Sequence, residues 1–210
     1  MATSPEFVQL SADDALARLL EGNQRFLRGE TRSAAFRREP LADLARAQRP
    51  YATILGCSDS RVPPEWLFDT GLGELFVVRV AGNSLSTEVA GSLQYAGSHL
   101  RTPLFVILGH EGCGAIAAAL ATKHEGEQFR SRIHLLLQSI LPGIPDLDPK
   151  LSPEERLSRA VESNVRWTVR QILDSPEGQA RLAEGRMKVT GAVYDIETGR
   201  VRLLPPDERT

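Results

Sequence analysis

Three short apolar runs constrain this chain more than any other feature: Tyr51 to Leu55, Leu75 to Val80 and Leu104 to Leu108. Each is rich in β-branched residues and is bounded by Gly, Pro, Ser or Asn, the pattern of strands buried on both faces. Helical patterns alternate with them, over Thr87 to Leu100 before the third run and over Cys113 to Lys123 after it. Strands alternating with helices predict an α/β fold with a mostly parallel central β-sheet flanked by helices.

The rest of the chain extends that unit. Ser11 followed by Asp14 is a helix N-cap signal, and Leu16, Leu19, Leu20 and Phe26 recur at helical spacing up to Gly29. This predicts an N-terminal helical arm over residues 1–30, ahead of one α/β unit over 31–210. Thr31 to Arg49 is charged and irregular, with a short helix expected near Leu41 to Ala47. Pro142 to Pro153 reads as a connector into a helix from Glu154 to Leu173, and a hairpin of Lys188 to Tyr194 and Arg200 to Leu204 closes the chain. At 210 residues, 41% hydrophobic and 25% charged, the chain is one globular domain with no room for a second catalytic unit.

A net charge of -2 gives no general attraction to nucleic acid or to an anionic membrane surface. The longest apolar runs fall far short of a membrane span, and Met1 to Gln9 lacks a basic-then-apolar signal pattern, so a cytoplasmic protein is expected.

In an open parallel sheet, ligand sites gather at the carboxyl ends of the strands. Two cysteine-bearing turns sit there: Gly56-Cys57-Ser58-Asp59-Ser60-Arg61 after the first run, and Gly109-His110-Glu111-Gly112-Cys113-Gly114 after the third. Cys57, His110 and Cys113 supply two thiolates and an imidazole, a set that suits zinc and leaves one coordination position open. An H-x-x-C turn alone is weak evidence, and buried cysteine is often only a small apolar core residue. A second turn carrying Cys-x-Asp-x-Arg is far more specific, because an aspartate and an arginine beside a thiolate are poor core material. A disulfide between the two cysteines is the plainer alternative, but a cytosolic chain of this size seldom needs one. A closed structural zinc site would show a fourth Cys or His near by, which is lacking here. His99, His124 and His134 lie on expected helices and receive no ligand role.

The string Cys57-Ser58-Asp59-Ser60-Arg61-Val62-Pro63-Pro64-Glu65, then Glu74 to Arg79, Gly82-Asn83, Gly109-His110 and Cys113-Gly114, resembles the beta-class carbonic anhydrases. The likeness extends to Glu21-Gly22-Asn23 in the arm and to Gly191 to Asp195 near the C terminus. It implies one zinc ion per chain on Cys57, His110 and Cys113, with water or Asp59 as the fourth ligand. It also implies a catalytic dyad of Asp59 and Arg61. Gln48 matches a glutamine that contacts substrate across a subunit boundary, and Phe76, Ala81 and Tyr95 match the apolar carbon dioxide pocket. Ala81 is smaller than the usual valine, and Val80 stands where many members have asparagine. The resemblance further implies a homodimer or higher homo-oligomer, with the arm reaching across a two-fold partner.

The implied reaction is reversible hydration of carbon dioxide to bicarbonate and a proton, by a zinc-activated water whose pKa falls to about 7. One alternative keeps the metal and changes the substrate, as a carbon disulfide or carbonyl sulfide hydrolase; another is a catalytically silent zinc-binding interaction protein. A nucleotide-binding module is poor, since no glycine-rich phosphate loop follows a strand. One branch of the family is inhibited by bicarbonate in a pocket built from tryptophan, arginine and tyrosine. Arg79 and Tyr194 match the last two, but Ile54 replaces the tryptophan and donates no N–H, so no inhibitory pocket is expected.

Overall fold

The computed structural model describes residues 10–31 and 44–206. Helix α1, Ala12–Arg28, starts where the Ser11 hydroxyl accepts the Asp14 N–H, and it ends at Gly29 in the left-handed conformation. Of the helix expected near Leu41 to Ala47, residues 41–43 lie outside the described residues, Leu44 is helical, and Ala45 and Arg46 turn the chain toward β1. Strand β1, Ala52–Gly56, leads through the short helix α2, Pro64–Leu67, to β2, Leu75–Arg79. Helix α3, Thr87–Tyr95, widens into a π turn over Ala96–Leu100 before β3, Leu104–His110. Helix α4, Gly114–Leu120, widens in the same way over Ala121–Glu125.

Helix α5, Ser131–Ile140, is the one expected around His134, though the sequence pattern drew no bounds for it: Leu137 and Ile140 are buried, but Ile133 and Leu135 are exposed, which blurs its apolar stripe. Helices α6, Pro153–Asp174, and α7, Pro176–Ala183, follow, and α6 begins with a reciprocal capping box between Ser152 and Glu155. Strands β4, Lys188–Tyr194, and β5, Val201–Leu203, form the closing hairpin. No helix among the described residues is long and apolar enough to cross a membrane.

The sheet order is β2-β1-β3-β4-β5, parallel except for the β4 to β5 pair. Every residue of β1 and β3 is buried, as uninterrupted apolar runs flanked by neighbours on both sides require. β2 is an edge strand and only half-buried. The single α/β domain expected from the sequence is therefore the one observed. Because β1 and β3 are adjacent and parallel, with Gly56 opposite Leu108, the turns leaving them emerge side by side at one sheet edge.

The apolar stripe of α1 is covered in part by its own chain: Leu19 is buried, while Leu16 and Phe26 pack half-buried against the core. Ala15 and Leu19 join the central core, and Gly22 lies so close to α2 that a Cβ there would stand 1.9 Å from the Phe68 carbonyl oxygen. Asn23 is buried and fully used: its amide donates to the carbonyls of Leu67 and Gly199, and its oxygen accepts the Val201 N–H. Arg25 pairs with the buried carboxylate of Asp69 at 2.6 Å.

Candidate metal centre

Cys57 follows directly on β1 and is 4% exposed; His110 is the last residue of β3 and Cys113 is the N-cap of α4. Gly112, at a φ of 65°, makes the tight return between His110 and Cys113 that a side chain would oppose. The three possible ligand atoms lie within 4.8 Å of one another. The two sulfurs are 4.0 Å apart, twice a disulfide bond length of about 2.0 Å. That separation is close to the roughly 3.8 Å that two zinc–sulfur bonds of about 2.3 Å subtend at a tetrahedral angle.

The imidazole is oriented for the same purpose. His110 Nδ1 lies 2.9 Å from the Glu111 carbonyl, which only accepts, so Nδ1 carries the hydrogen. Nε2 is left bare, buried and without a hydrogen-bond partner, beside the two sulfurs. An orphaned buried nitrogen costs stability unless it meets an electrophile, and a metal ion meets that need.

The electrostatics of the two cysteines reflect their proximity. The hydrogen bond from the Cys113 thiol, opposed by burial and aided by the N–H groups of Asp59 and Gly82, holds the Cys57 thiol well below its ordinary pKa. The same hydrogen bond, together with burial, pushes Cys113 up. In the metal-free protein the pair thus shares one proton, which metal binding displaces.

Asp59 closes the site. Its Oδ1 accepts the Arg61 backbone N–H at 3.0 Å and Nε at 2.9 Å, and its Oδ2 accepts Nη2 at 2.7 Å. The Arg61 hydrogen bond holds the Asp59 carboxyl well below the usual carboxylate range. Oδ2 also lies 3.9 Å from His110 Nε2, so a restrained anion stands beside the metal position while both its oxygens are held by arginine.

Five expected residues, Cys57, Asp59, Arg61, His110 and Cys113, converge here. Ala81 is half-buried in the turn Ala81–Asn83, whose next residue, Gly82, donates its N–H to the Cys57 sulfur at 3.4 Å. Phe76 and Tyr95 form a tilted aromatic pair, centroids 6.2 Å apart, on the half-open β2 side. Tyr95 is 46% exposed and stacks on His99. Gln48 is exposed on the segment entering β1.

Sequence reasoning missed two supports. Asn164 of α6 donates to the Gly82 carbonyl, and Arg79 donates to the carbonyls of Cys57 and Asp59. A polar residue at a core-facing position of α6 was the only signal available for the first, and nothing in the sequence reveals a carbonyl acceptor for the second.

A mostly parallel sheet with a Cys, His and Cys set and an arginine-held carboxylate at its carboxyl edge defines a zinc-dependent α/β enzyme. The comparisons with known proteins narrow this. A family model described as carbonic anhydrase matches residues 52–201. The chain is 39% identical over 189 residues to the carbonic anhydrase of Mycolicibacterium smegmatis, covering 88% of this chain and 89% of that protein. It is 36% identical to carbonic anhydrase 2 of Mycobacterium tuberculosis, with the same coverage. Among solved structures, the Coccomyxa beta-carbonic anhydrase in complex with acetazolamide superposes with a TM-score of 0.72 at 30% identity, covering 90% of this chain and 86% of that one. A chain from the two tetrameric beta-carbonic anhydrases of Sordaria macrospora gives a TM-score of 0.73 at 25% identity, covering 91% and 97%.

The chain belongs to the carbonic anhydrase family, in its beta class, and is a zinc carbonate dehydratase that hydrates carbon dioxide reversibly. The sulfur-substrate and silent-binder alternatives are not favoured.

Proposed function

We propose that Cys57, His110 and Cys113 are the zinc ligands and that Asp59 and Arg61 are the catalytic dyad. The observation that supports this most is the doubly paired Asp59 carboxylate, held beside the bare His110 Nε2. A structural metal site has no use for a restrained anion at its open position. Zinc, when bound, supplies Lewis acidity that makes a water nucleophilic near neutral pH. Asp59 accepts a hydrogen bond from that water and so aims it at the carbon of carbon dioxide. Arg61 keeps Asp59 charged and would hold it away from a bound ion, since both carboxylate oxygens are engaged by its guanidinium. Phe76, Ala81 and Tyr95 line the apolar approach, and Gln48 of a neighbouring copy donates to the forming bicarbonate.

That last role needs a homodimer. Supporting it are the half-open β2 edge and the exposed apolar side chains of Trp66, Leu72 and Tyr95. The tetrameric state of the Sordaria macrospora relatives points the same way. We further propose the division into an arm over residues 1–30 and a catalytic unit over 31–210, and a cytoplasmic location.

The test is to measure bound zinc and hydration turnover in Asp59→Asn and Arg61→Ala. Both variants are expected to keep one zinc per chain and to lose about 100-fold or more in turnover. Turnover near wild type in both removes the dyad from the mechanism.

A further inference from the structure

Arg79, the last residue of β2, lies outside the set of side chains around the metal position, yet it is tied to that set through the backbone. Its Nε donates to the Cys57 carbonyl at 2.8 Å, and its Nη2 donates to the Asp59 carbonyl. The two acceptors flank Ser58, so one planar group bridges the turn that carries both a sulfur of the metal set and the dyad carboxylate. The anchor behind it is firm: Arg79 is in register with Gly56, and the Val80 N–H donates to the Gly56 carbonyl at 3.0 Å. A guanidinium presents its donors in a rigid fork, so it sets the spacing of two carbonyls, whereas an ammonium acts as a point charge.

We propose that Arg79 is a positioning residue that clamps the Cys57 to Asp59 turn, and that it does not serve here as a ligand for an inhibitory anion. Two of its donors are committed to carbonyls, and Ile54, where a bicarbonate pocket needs an N–H donor, is fully buried in the core. The clamp acts on two functions at once: through Cys57 it slows metal release, and through Asp59 it keeps the carboxylate aligned. The proposal rests on the roles given above to Cys57 and Asp59.

Arg79→Gln and Arg79→Lys, made in the full zinc-loaded chain, test it by zinc release to a chromophoric chelator, hydration kinetics per bound zinc, and bicarbonate inhibition. Arg79→Gln is expected to release zinc faster and to lose about 10- to 100-fold in kcat per bound zinc, the range for residues that orient ligands, with KM little changed. Arg79→Lys is expected to fall between Arg79→Gln and wild type on both measures, and bicarbonate inhibition is expected to be unaltered in both. Wild-type zinc release and wild-type kcat per bound zinc overturn the clamp, even if melting temperature drops. Relief of bicarbonate inhibition overturns it in favour of an anion ligand. If Arg79→Gln does not fold, Arg79→Lys decides by the same criteria. Asp59→Asn is the control: if it too turns over normally, the dyad reading has failed, and the zinc-release rate alone judges the clamp.

Discussion

The two cysteine-bearing turns meet at one point but are built in opposite ways. The His110 to Cys113 turn hangs from an interior strand and leads into a helix, its ligands are 1% and 2% exposed, and backbone geometry at Gly112 shapes it. The Cys57 to Arg61 turn is held by side chains: Arg61 grips Asp59 from a position 54% exposed, and Arg79 grips the backbone. Burial fixes a metal ligand once the protein folds, while an ion pair at the surface holds a group whose position must serve a reaction. Both turns leave interior strands and bury their cysteines, but beyond Cys57 the first turn depends on side-chain contacts nearer the surface.

The largest effects should come from the ligands, which the two turns share. Cys57→Ser, His110→Ala and Cys113→Ser are each expected to lose most bound zinc, measured by metal analysis after purification without chelator, because three ligands leave no spare donor. Full zinc retention in all three would mean that neither turn holds the metal.

Next in size is a pair of glycine variants that separates the turns by packing. A Cβ at Gly109 would stand 2.5 Å from the Val165 side chain, which is fully buried and has nowhere to move. A Cβ at Gly56 finds nothing nearer than 3.9 Å. Gly109→Ala is expected to destabilise the fold by about 1–3 kcal/mol, and Gly56→Ala by within about 0.5 kcal/mol, read from denaturant unfolding of the metal-free protein. Equal losses would show that the core does not grip one turn more than the other.

The smallest effect concerns pH. Because the folded-state pKa of Asp59 is depressed, its pairing contributes stability that is fully present above the unfolded value of about 4 and is lost as pH falls toward the folded value. The melting-temperature gap between wild type and Asp59→Asn should therefore be constant from neutral pH down to about 5 and should close below that. A gap that closes between pH 8 and 6 would break the assignment. Over that upper range the hydration rate should fall with the slope of a single proton. A steep multi-proton profile would point to an inhibitory switch despite the buried Ile54.

The sequence alone determined the strands, most of the helices and which side chains the two turns bring together. Runs such as Leu104 to Leu108 are legible because a strand buried on both faces must be apolar throughout, and Cys-x-Asp-x-Arg is legible because such residues fit nowhere else. The bounds of helix α5 around His134 were not legible, since a helix exposing Ile133 and Leu135 breaks the period that announces it. Only the tertiary structure decided that α1 packs Ala15 and Leu19 into its own chain's core, fastened by Asn23 on the carbonyls of Leu67 and Gly199. It also decided that Asn164 holds the Gly82 turn beside Cys57 and that Arg79 holds the Cys57 to Asp59 turn. The reason is physical: these contacts end on backbone carbonyls, which every residue carries alike, so their partners are set by where the chain passes in space and leave no mark in the sequence.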